Sequence, residues 1–210
     1  MKLAVIGATG RTGTLLVEEL LRRGHDLTVL ARTPEKLGPR GDRVRVVTGS
    51  STDPAALDAL VTGGVDAVVS ALGPTTRETD LHTRTAHALV EAMRAHGVRR
   101  FVGISGAGVD VPDDRKGRRD TAISFVIRRL GGAIAADKRH EYQVFADSDV
   151  DFTLVRPPRL VDGPATGTFV HDAHRPGRSS SIRRADLAAF VADVVEQGSY
   201  SRLAPFVSAA

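Results

Sequence analysis

The sequence predicts an α/β fold, a doubly wound parallel sheet forming a single domain over residues 1–210, and three observations carry that prediction. Short apolar segments alternate with amphipathic ones along the chain, as strands alternate with helices in such a sheet. The first apolar segment, Lys2 to Ile6, runs directly into a glycine-rich turn, Gly7-Ala8-Thr9-Gly10-Arg11-Thr12-Gly13. A nearly unbroken apolar stretch at residues 65–73 suits a strand buried on both faces at the centre of the sheet.

The turn organises the rest. Beyond Gly13, apolar residues at Leu16, Val17, Leu20 and Leu21 have the spacing of a helix with one face on a sheet. A glycine turn between strand and helix points backbone N–H groups and the positive end of the helix dipole at one spot, which suits a diphosphate. Gly7 lets the chain leave the strand sharply, Gly10 lets a diphosphate approach the backbone, and Gly13 lets the helix lie close on the sheet. The segment therefore reads as a dinucleotide site.

Composition narrows the remaining classes. With 41% hydrophobic and 26% charged residues, the 210-residue chain can bury a sizeable core and is not expected to be disordered. The lack of cysteine excludes disulfides, cysteine nucleophiles and thiolate metal sites. Ahead of Gly7 stand one lysine and four apolar residues, too few for a signal-peptide core, and no later run approaches the ~18 apolar residues of a membrane span. The expectation is a cytoplasmic protein with no membrane partner. The net charge of +4 comes from scattered arginines, with one local cluster at residues 115–119 and a pair at 128–129, and aromatics are 4% of the chain. That pattern reads as a solvated surface or the rim of an anionic-ligand site, with no nucleic-acid partner. His82 and His87, five apart, do not share a helical face as a metal pair would, so both read as ordinary helix residues and no metal site is expected.

The first helix closes at Gly24, and Asp26 to Ala31 reads as the second strand. The residue at its end, about 20 beyond the glycine turn, selects the cofactor: an acid favours NAD, a base the 2′-phosphate of NADP. That place holds Arg32, so NADP is favoured, with Arg11 able to add a second guanidinium to the same phosphate. The other reading of Arg32 is a solvent-exposed arginine at a strand end. Residues 43–48 alternate like a strand near a sheet edge, Asp53 caps a helix begun by Pro54, and Ser50 and Ser51 are placed for the adenine edge. The fourth strand is followed by a loop at 74–80 and a helix at about 81–96 closed by Gly97. A fifth strand, 99–105, ends in Ser105. A polar loop at 106–120 and a helical region at about 121–148, broken at Gly131 and Gly132, lead to a sixth strand, 151–156, stopped by Pro157 and Pro158. Residues 159–181 read as a long functional loop. A helix at about 184–196 and a strand at about 203–207 finish the chain. The predicted strand order is 3-2-1-4-5-6-7, with ligand at the switch point between strands 1 and 4 and a crevice lined by Gly7, Arg32, Ser50, Ala71, Ser105 and Pro157.

Several of these segments together resemble a known group. The Gly7–Gly13 turn, Ala31-Arg32-Thr33-Pro34, residues 92–102, Ser105 and Asp151-Phe152-Thr153-Leu154-Val155-Arg156-Pro157 are similar to the atypical short-chain dehydrogenase/reductases. Within them the chain resembles the small Rossmann-fold NAD(P)H-binding proteins related to flavin reductase (biliverdin-IXβ reductase) and the NmrA-like proteins. The resemblance implies that Gly7, Thr9, Gly10, Arg11, Thr12 and Gly13 hold the diphosphate, Arg32 the 2′-phosphate, and Ser50 and Ser51 the adenine. It places Ala71, Leu72 and Gly73 beside the nicotinamide ribose, and Ser105, Pro157, Pro158 and Arg159 near the nicotinamide. Relatives often have Gly-Asp where this chain has Gly49-Ser50.

Catalysis departs further from the larger dehydrogenases, whose Tyr-x-x-x-Lys lets a lysine lower the tyrosine pKa. Here Tyr142 is followed four residues later by Ala146, while Lys138 stands one turn before it. The resemblance makes Lys138 a basic residue near the substrate; the other reading is a solvated helix lysine. Hydride transfer to an electron-poor conjugated ring needs no tyrosine acid, because much of the rate comes from holding the two rings together. Ser105 and Lys138 are then the catalytic candidates, orienting the acceptor or stabilising its charge. The expected activity is an NADPH-dependent oxidoreductase transferring hydride to a flavin or similar planar acceptor (flavin, quinone or tetrapyrrole), as a monomer or homodimer. The alternative is a non-catalytic, NADP-sensing NmrA-like regulator that binds a protein partner.

Overall fold

The structure, a computed structural model, describes residues 1–74, 78–115, 117 and 132–210. Six parallel strands make the central sheet: β1 (Lys2–Ile6), β2 (Asp26–Ala31), β3 (Arg45–Thr48), β4 (Ala67–Ser70), β5 (Arg100–Ile104) and β6 (Asp151–Val155), in the spatial order β3-β2-β1-β4-β5-β6. The helices are α1 (Arg11–Arg22), α2 (Pro54–Val61), α3 (Leu81–Ala95), α4 (Gly132–Ala146) and α5 (Arg184–Gln197). The first part of the predicted helical region, residues 121–131, lies outside the described residues, as do Arg128, Arg129 and most of the basic cluster at 115–119.

The two-residue period of β1 divides the core. Leu3 and Val5 face a layer with Leu16, Val17 and Leu20 of α1 and Leu187, Phe190, Val191 and Val194 of α5. Ala4 and Ile6 face the opposite layer, with Leu57 and Leu60 of α2, Leu89 and Met93 of α3 and Phe145 of α4. In register, Val5 stands between Val29 of β2 and Val69 of β4. On the second face, the Phe101 and Phe145 rings stack with centroids 4.2 Å apart. α1 ends with Gly24 at φ +80°, His25 N–H donating to the Leu20 carbonyl and Gly24 N–H to Leu21, the Schellman pattern that glycine permits. Arg23 ties α1 to α5 through Glu19 and Asp193, both at 2.7 Å.

Two predicted elements differ. The expected seventh parallel strand is only touched by β6: single bridges join Thr153 to Leu203 and Arg156 to Phe206. Between those bridges stands Pro205, which has no N–H to continue the ladder. The chain instead forms β10 (Phe206–Ala209), antiparallel to β8 (Phe169–Asp172). The predicted loop at 159–181 is correspondingly built: β7 (Arg159–Val161) pairs in parallel with β9 (Ser181–Arg183), and β8 pairs with β10. The third strand starts at Arg45 because residues 34–43 form 3₁₀ turns kinked at Gly38.

Candidate active site

The carboxyl ends of the six strands share one edge of the sheet, and the glycine turn lies in its middle. Gly7 has φ +78°, and a Cβ on it would sit 2.6 Å from the Ala71 carbonyl carbon and 2.7 Å from the Leu72 nitrogen. A Cβ on Gly13 would overlap the Gly7 carbonyl oxygen, so Gly13 packs against its own turn, and through it against the sheet. Gly10 differs: the nearest atom to its Cβ would be the Gly7 oxygen at 3.4 Å, and the rest is open. As the N-cap of α1, Gly10 supplies no side-chain acceptor, and no acid occupies the first turn. The N–H groups of Arg11, Thr12 and Gly13 have no hydrogen-bond partner among the described residues. Unpaired N–H groups at an uncapped helix start, beside open space, suit an anionic diphosphate. Thr9 lies within this turn.

Arg32 follows β2 directly and is exposed, while Arg11 is 77% exposed and 4.0 Å from Asp162. Both guanidiniums are thus free to meet a phosphate beyond the second strand. The two serines diverge. Ser50 Oγ lies 3.1 Å from Thr52 Oγ1 at the end of β3, whereas Ser51 is buried and its oxygen accepts from Thr85 of α3 at 3.1 Å. Asp53 caps α2 as predicted, accepting from Ala55 N–H at 3.0 Å.

The ends of β5 and β6 are stitched together: Ser105 N–H donates to Val155 at 2.7 Å and Ala107 N–H to Pro157 at 3.0 Å. Ser105 and buried Pro157 are therefore neighbours, with Arg159 exposed on β7 beyond. Ser105 Oγ is buried and has no hydrogen-bond partner among the described residues. Gly73 lies exposed after Ala71 and Leu72, with nothing near its Cβ direction.

Lys138 is no solvated helix lysine: it is 8% exposed. Its ammonium donates to the Ile104 carbonyl at 3.1 Å and to Glu141 Oε2 at 2.9 Å, which fixes it beside Ser105. Glu141 Oε1 lies 3.6 Å from Nδ1 of His82. Burial pushes the Glu141 carboxyl up, but Lys138 and His82 outweigh it and hold the pKa below the ordinary carboxylate range. His82, read from the sequence as an ordinary helix residue, is 1% exposed, and among the described residues neither ring nitrogen makes a hydrogen bond, Nδ1 only facing Glu141. The helical phase His82, Thr85, Ala86, Leu89 carried that signal, as Lys138, Glu141, Tyr142 and Phe145 did on α4. Asp137 caps α3 from the neighbouring helix, accepting from His82 N–H at 2.8 Å and Thr83 N–H at 2.9 Å. Tyr142 packs edge-on against Phe152, centroids 5.8 Å apart, and burial raises its pKa.

One further residue, named above only within the Asp151–Pro157 segment, had no role assigned from the sequence. Arg156, at the end of β6 and fully buried, donates to Asp114 through both terminal nitrogens, to the Val109 and Ala204 carbonyls, and lies 3.8 Å over the Phe206 ring. It pins the loop after β5 and the C-terminal segment to the edge that carries Ser105. Among the described residues no helix is long and apolar enough to cross a membrane, and no group of three or more His, Asp or Glu could hold a metal ion.

Known proteins bear on this geometry. The sequence matches the NAD(P)H-binding family over residues 7–198. It is 37% identical over 153 residues to the (4-alkanoyl-5-oxo-2,5-dihydrofuran-3-yl)methyl phosphate reductase of Streptomyces griseus subsp. griseus, an alignment covering 73% of this chain and 46% of that protein. The chain thus spans about half the length of that relative. A short-chain dehydrogenase/reductase of Veillonella parvula solved in complex with NADP superposes with a TM-score of 0.82 at 19% identity, covering 99% of this chain and 94% of that one. ChuY, an anaerobillin reductase of Escherichia coli O157:H7, gives 0.82 at 18% identity, covering 100% and 97%. Such distant structures speak to the fold alone. With its uncapped glycine turn at the switch point of a doubly wound sheet and a family match over almost its whole length, the chain belongs to the NAD(P)H-binding family and has the fold of the short-chain dehydrogenase/reductases.

Proposed function

We propose that the protein is an NADPH-dependent reductase of a small, planar, conjugated acceptor: a flavin, a quinone, a linear tetrapyrrole or a related unsaturated carbonyl compound. The observation that carries this reading is the end of β5, where the buried Lys138 ammonium is fixed at the Ile104 carbonyl beside the unpartnered hydroxyl of Ser105. A cation and a free O–H donor at one strand end can receive the negative charge that an electron-poor acceptor gains on reduction. The cofactor, when bound, supplies the hydride.

The chain's own residues bind and orient. Gly7, Thr9, Gly10, Arg11, Thr12 and Gly13 hold the diphosphate, and Arg32 with Arg11 selects the 2′-phosphate of NADPH. Ser50 is the better adenine contact, since Ser51 is buried with its oxygen held by Thr85. Ala71, Leu72 and Gly73 flank the nicotinamide ribose, and Ser105, Pro157 and Arg159 bound the acceptor side. The name of the Streptomyces relative's substrate describes a ring C=C flanked by two carbonyl groups, the electronic type this site suits, and that kinship supports the reading.

The test is steady-state NADPH oxidation with FMN, FAD, riboflavin, quinones, biliverdin and an acyl-butenolide phosphate, repeated with NADH. Turnover of at least one acceptor, faster with NADPH than with NADH, is expected. Tight NADPH binding with no turnover across the panel would instead select the NADP-sensing, partner-binding regulator.

A further inference from the structure

Three ionisable side chains from two helices are packed together beneath the end of β5. Lys138 and Glu141 come from α4, His82 from α3, and each is less than one-tenth exposed. Burying such a group is costly, and apolar side chains of similar volume commonly stabilise a core as well or better. Stability alone therefore gives no reason to keep the three where the Phe101–Phe145 stack already joins α4 to the sheet. Their arrangement has a direction. Glu141 bonds Lys138 with one oxygen and faces His82 with the other, and Lys138 bonds the last carbonyl of β5, adjacent to Ser105. The neighbouring carboxylate, Asp137, is turned away and spent on the first N–H groups of α3 and the Thr83 hydroxyl.

We propose that Glu141, backed by His82, is a positioning residue that keeps the Lys138 ammonium charged and aimed at the oxygen of an acceptor bound over Ser105. The inference rests on the reductase reading above and deepens it by naming the acceptor class: a carbon–carbon or carbon–nitrogen double bond conjugated to a carbonyl. In that chemistry a hydride adds to the far end of the conjugated system, the π pair shifts onto the carbonyl oxygen, and a proton from water then completes the reduced product as NADPH becomes NADP⁺. Lys138 stabilises the transient oxyanion, and it can do so only as an ammonium. A charge buried without a partner is costly, and the Glu141 carboxylate, 2.9 Å from the Lys138 ammonium, supplies the counter-charge.

The test separates charge from turnover. The chain's lysines are Lys2, Lys36, Lys116 and Lys138, so ¹³C labelling at lysine Cε gives a readable spectrum in which Lys138→Met identifies the Lys138 signal. In Glu141→Gln, which keeps shape and a carbonyl acceptor, the Lys138 midpoint measured on the cofactor-free protein should fall. NADPH affinity should stay within about twofold while kcat falls about tenfold or more. The double variant Lys138→Met/Glu141→Gln, which removes both charges, should recover the melting temperature lost in Glu141→Gln yet turn over no faster than Lys138→Met. An unmoved Lys138 midpoint overturns the inference, and so does a lowered midpoint with unchanged kcat. Wild-type turnover insensitive to Glu141→Gln defeats this inference alone, whereas a wild-type protein that reduces no acceptor defeats the reductase reading and this inference with it.

Discussion

Replacing Gly10 and Gly13 separately by alanine distinguishes a glycine that admits a ligand from one that admits the protein's own backbone. At Gly13 a methyl group would overlap the Gly7 oxygen and lie 2.8 Å from its carbonyl carbon and 3.1 Å from that of Ala8, all backbone atoms that cannot rotate away. Overpacking of this kind costs about 1–3 kcal/mol. Alanine's helical preference over glycine returns up to ~1 kcal/mol. Gly13→Ala should thus lose about 1–2 kcal/mol, a fall in Tm of roughly 2–8 °C for a domain of this size. At Gly10 the backbone, φ −78° and ψ 165°, suits alanine, and the nearest atom to its methyl would be 3.4 Å away. The poorer N-cap preference of alanine and its lower unfolded-state entropy roughly cancel, leaving stability within about 1 kcal/mol. The same methyl points into open space, where the proposed diphosphate would lie. Displacing one or two charge-assisted hydrogen bonds, each worth about 1.5–3 kcal/mol, should weaken NADPH about tenfold to several hundredfold. Melting curves and titration calorimetry with NADPH read both quantities. A Gly10→Ala protein that binds NADPH within twofold of wild type, or a Gly13→Ala protein that melts like wild type, would refute the division of roles.

Arg32→Ala should weaken NADPH by about tenfold or more while leaving NADH nearly unchanged, as titration with each coenzyme would reveal; equal losses would remove Arg32 from the 2′-phosphate. Asp114→Ala strands the Arg156 guanidinium, whose side chain is fully buried, so chemical denaturation should register a loss of about 3–5 kcal/mol. Glu19 has a pKa of about 2, against an ordinary 4.5, chiefly through its hydrogen bonds from Arg22 and then Arg23. Because the folded value is the lower one, its contribution is complete above about 4.5 and is lost as pH falls toward 2. Urea unfolding across that window should slope less steeply with pH in Glu19→Gln, by a modest amount because the pair is partly solvated.

The parts of the fold legible in the sequence share one property: their signals are local. The alternation of Leu3 and Val5 with Ala4 and Ile6 assigns β1 its two faces, Asp53-Pro54 starts α2, and Gly24 ends α1. The short pieces β7, β8 and β9 escaped because strands of three or four residues, with Ile182 alone fully buried among them, carry no readable period. The last strand misled because a parallel seventh position was plausible by order alone, until the missing N–H of Pro205 is set between the two bridges to β6. His82 shows the limit of spacing as a signal: five positions from His87 it shares no metal-binding face, yet its helical phase with Leu89 marks a buried position.

By itself the sequence determined the doubly wound sheet and led to the proposed cofactor end, since a glycine turn with its flanking strand and helix is a contiguous stretch whose geometry follows from neighbouring residues. Only the tertiary structure decided the other end of the site. Lys138 meets the carbonyl of Ile104 across 34 positions, Arg156 meets Asp114 across 42, and Asp137 caps α3 across 55. Such meetings come from which strands lie side by side and how α3 and α4 pack over them. Packing and burial bring the candidate lysine together with a glutamate and a histidine in one cluster at the end of β5, beside Ser105.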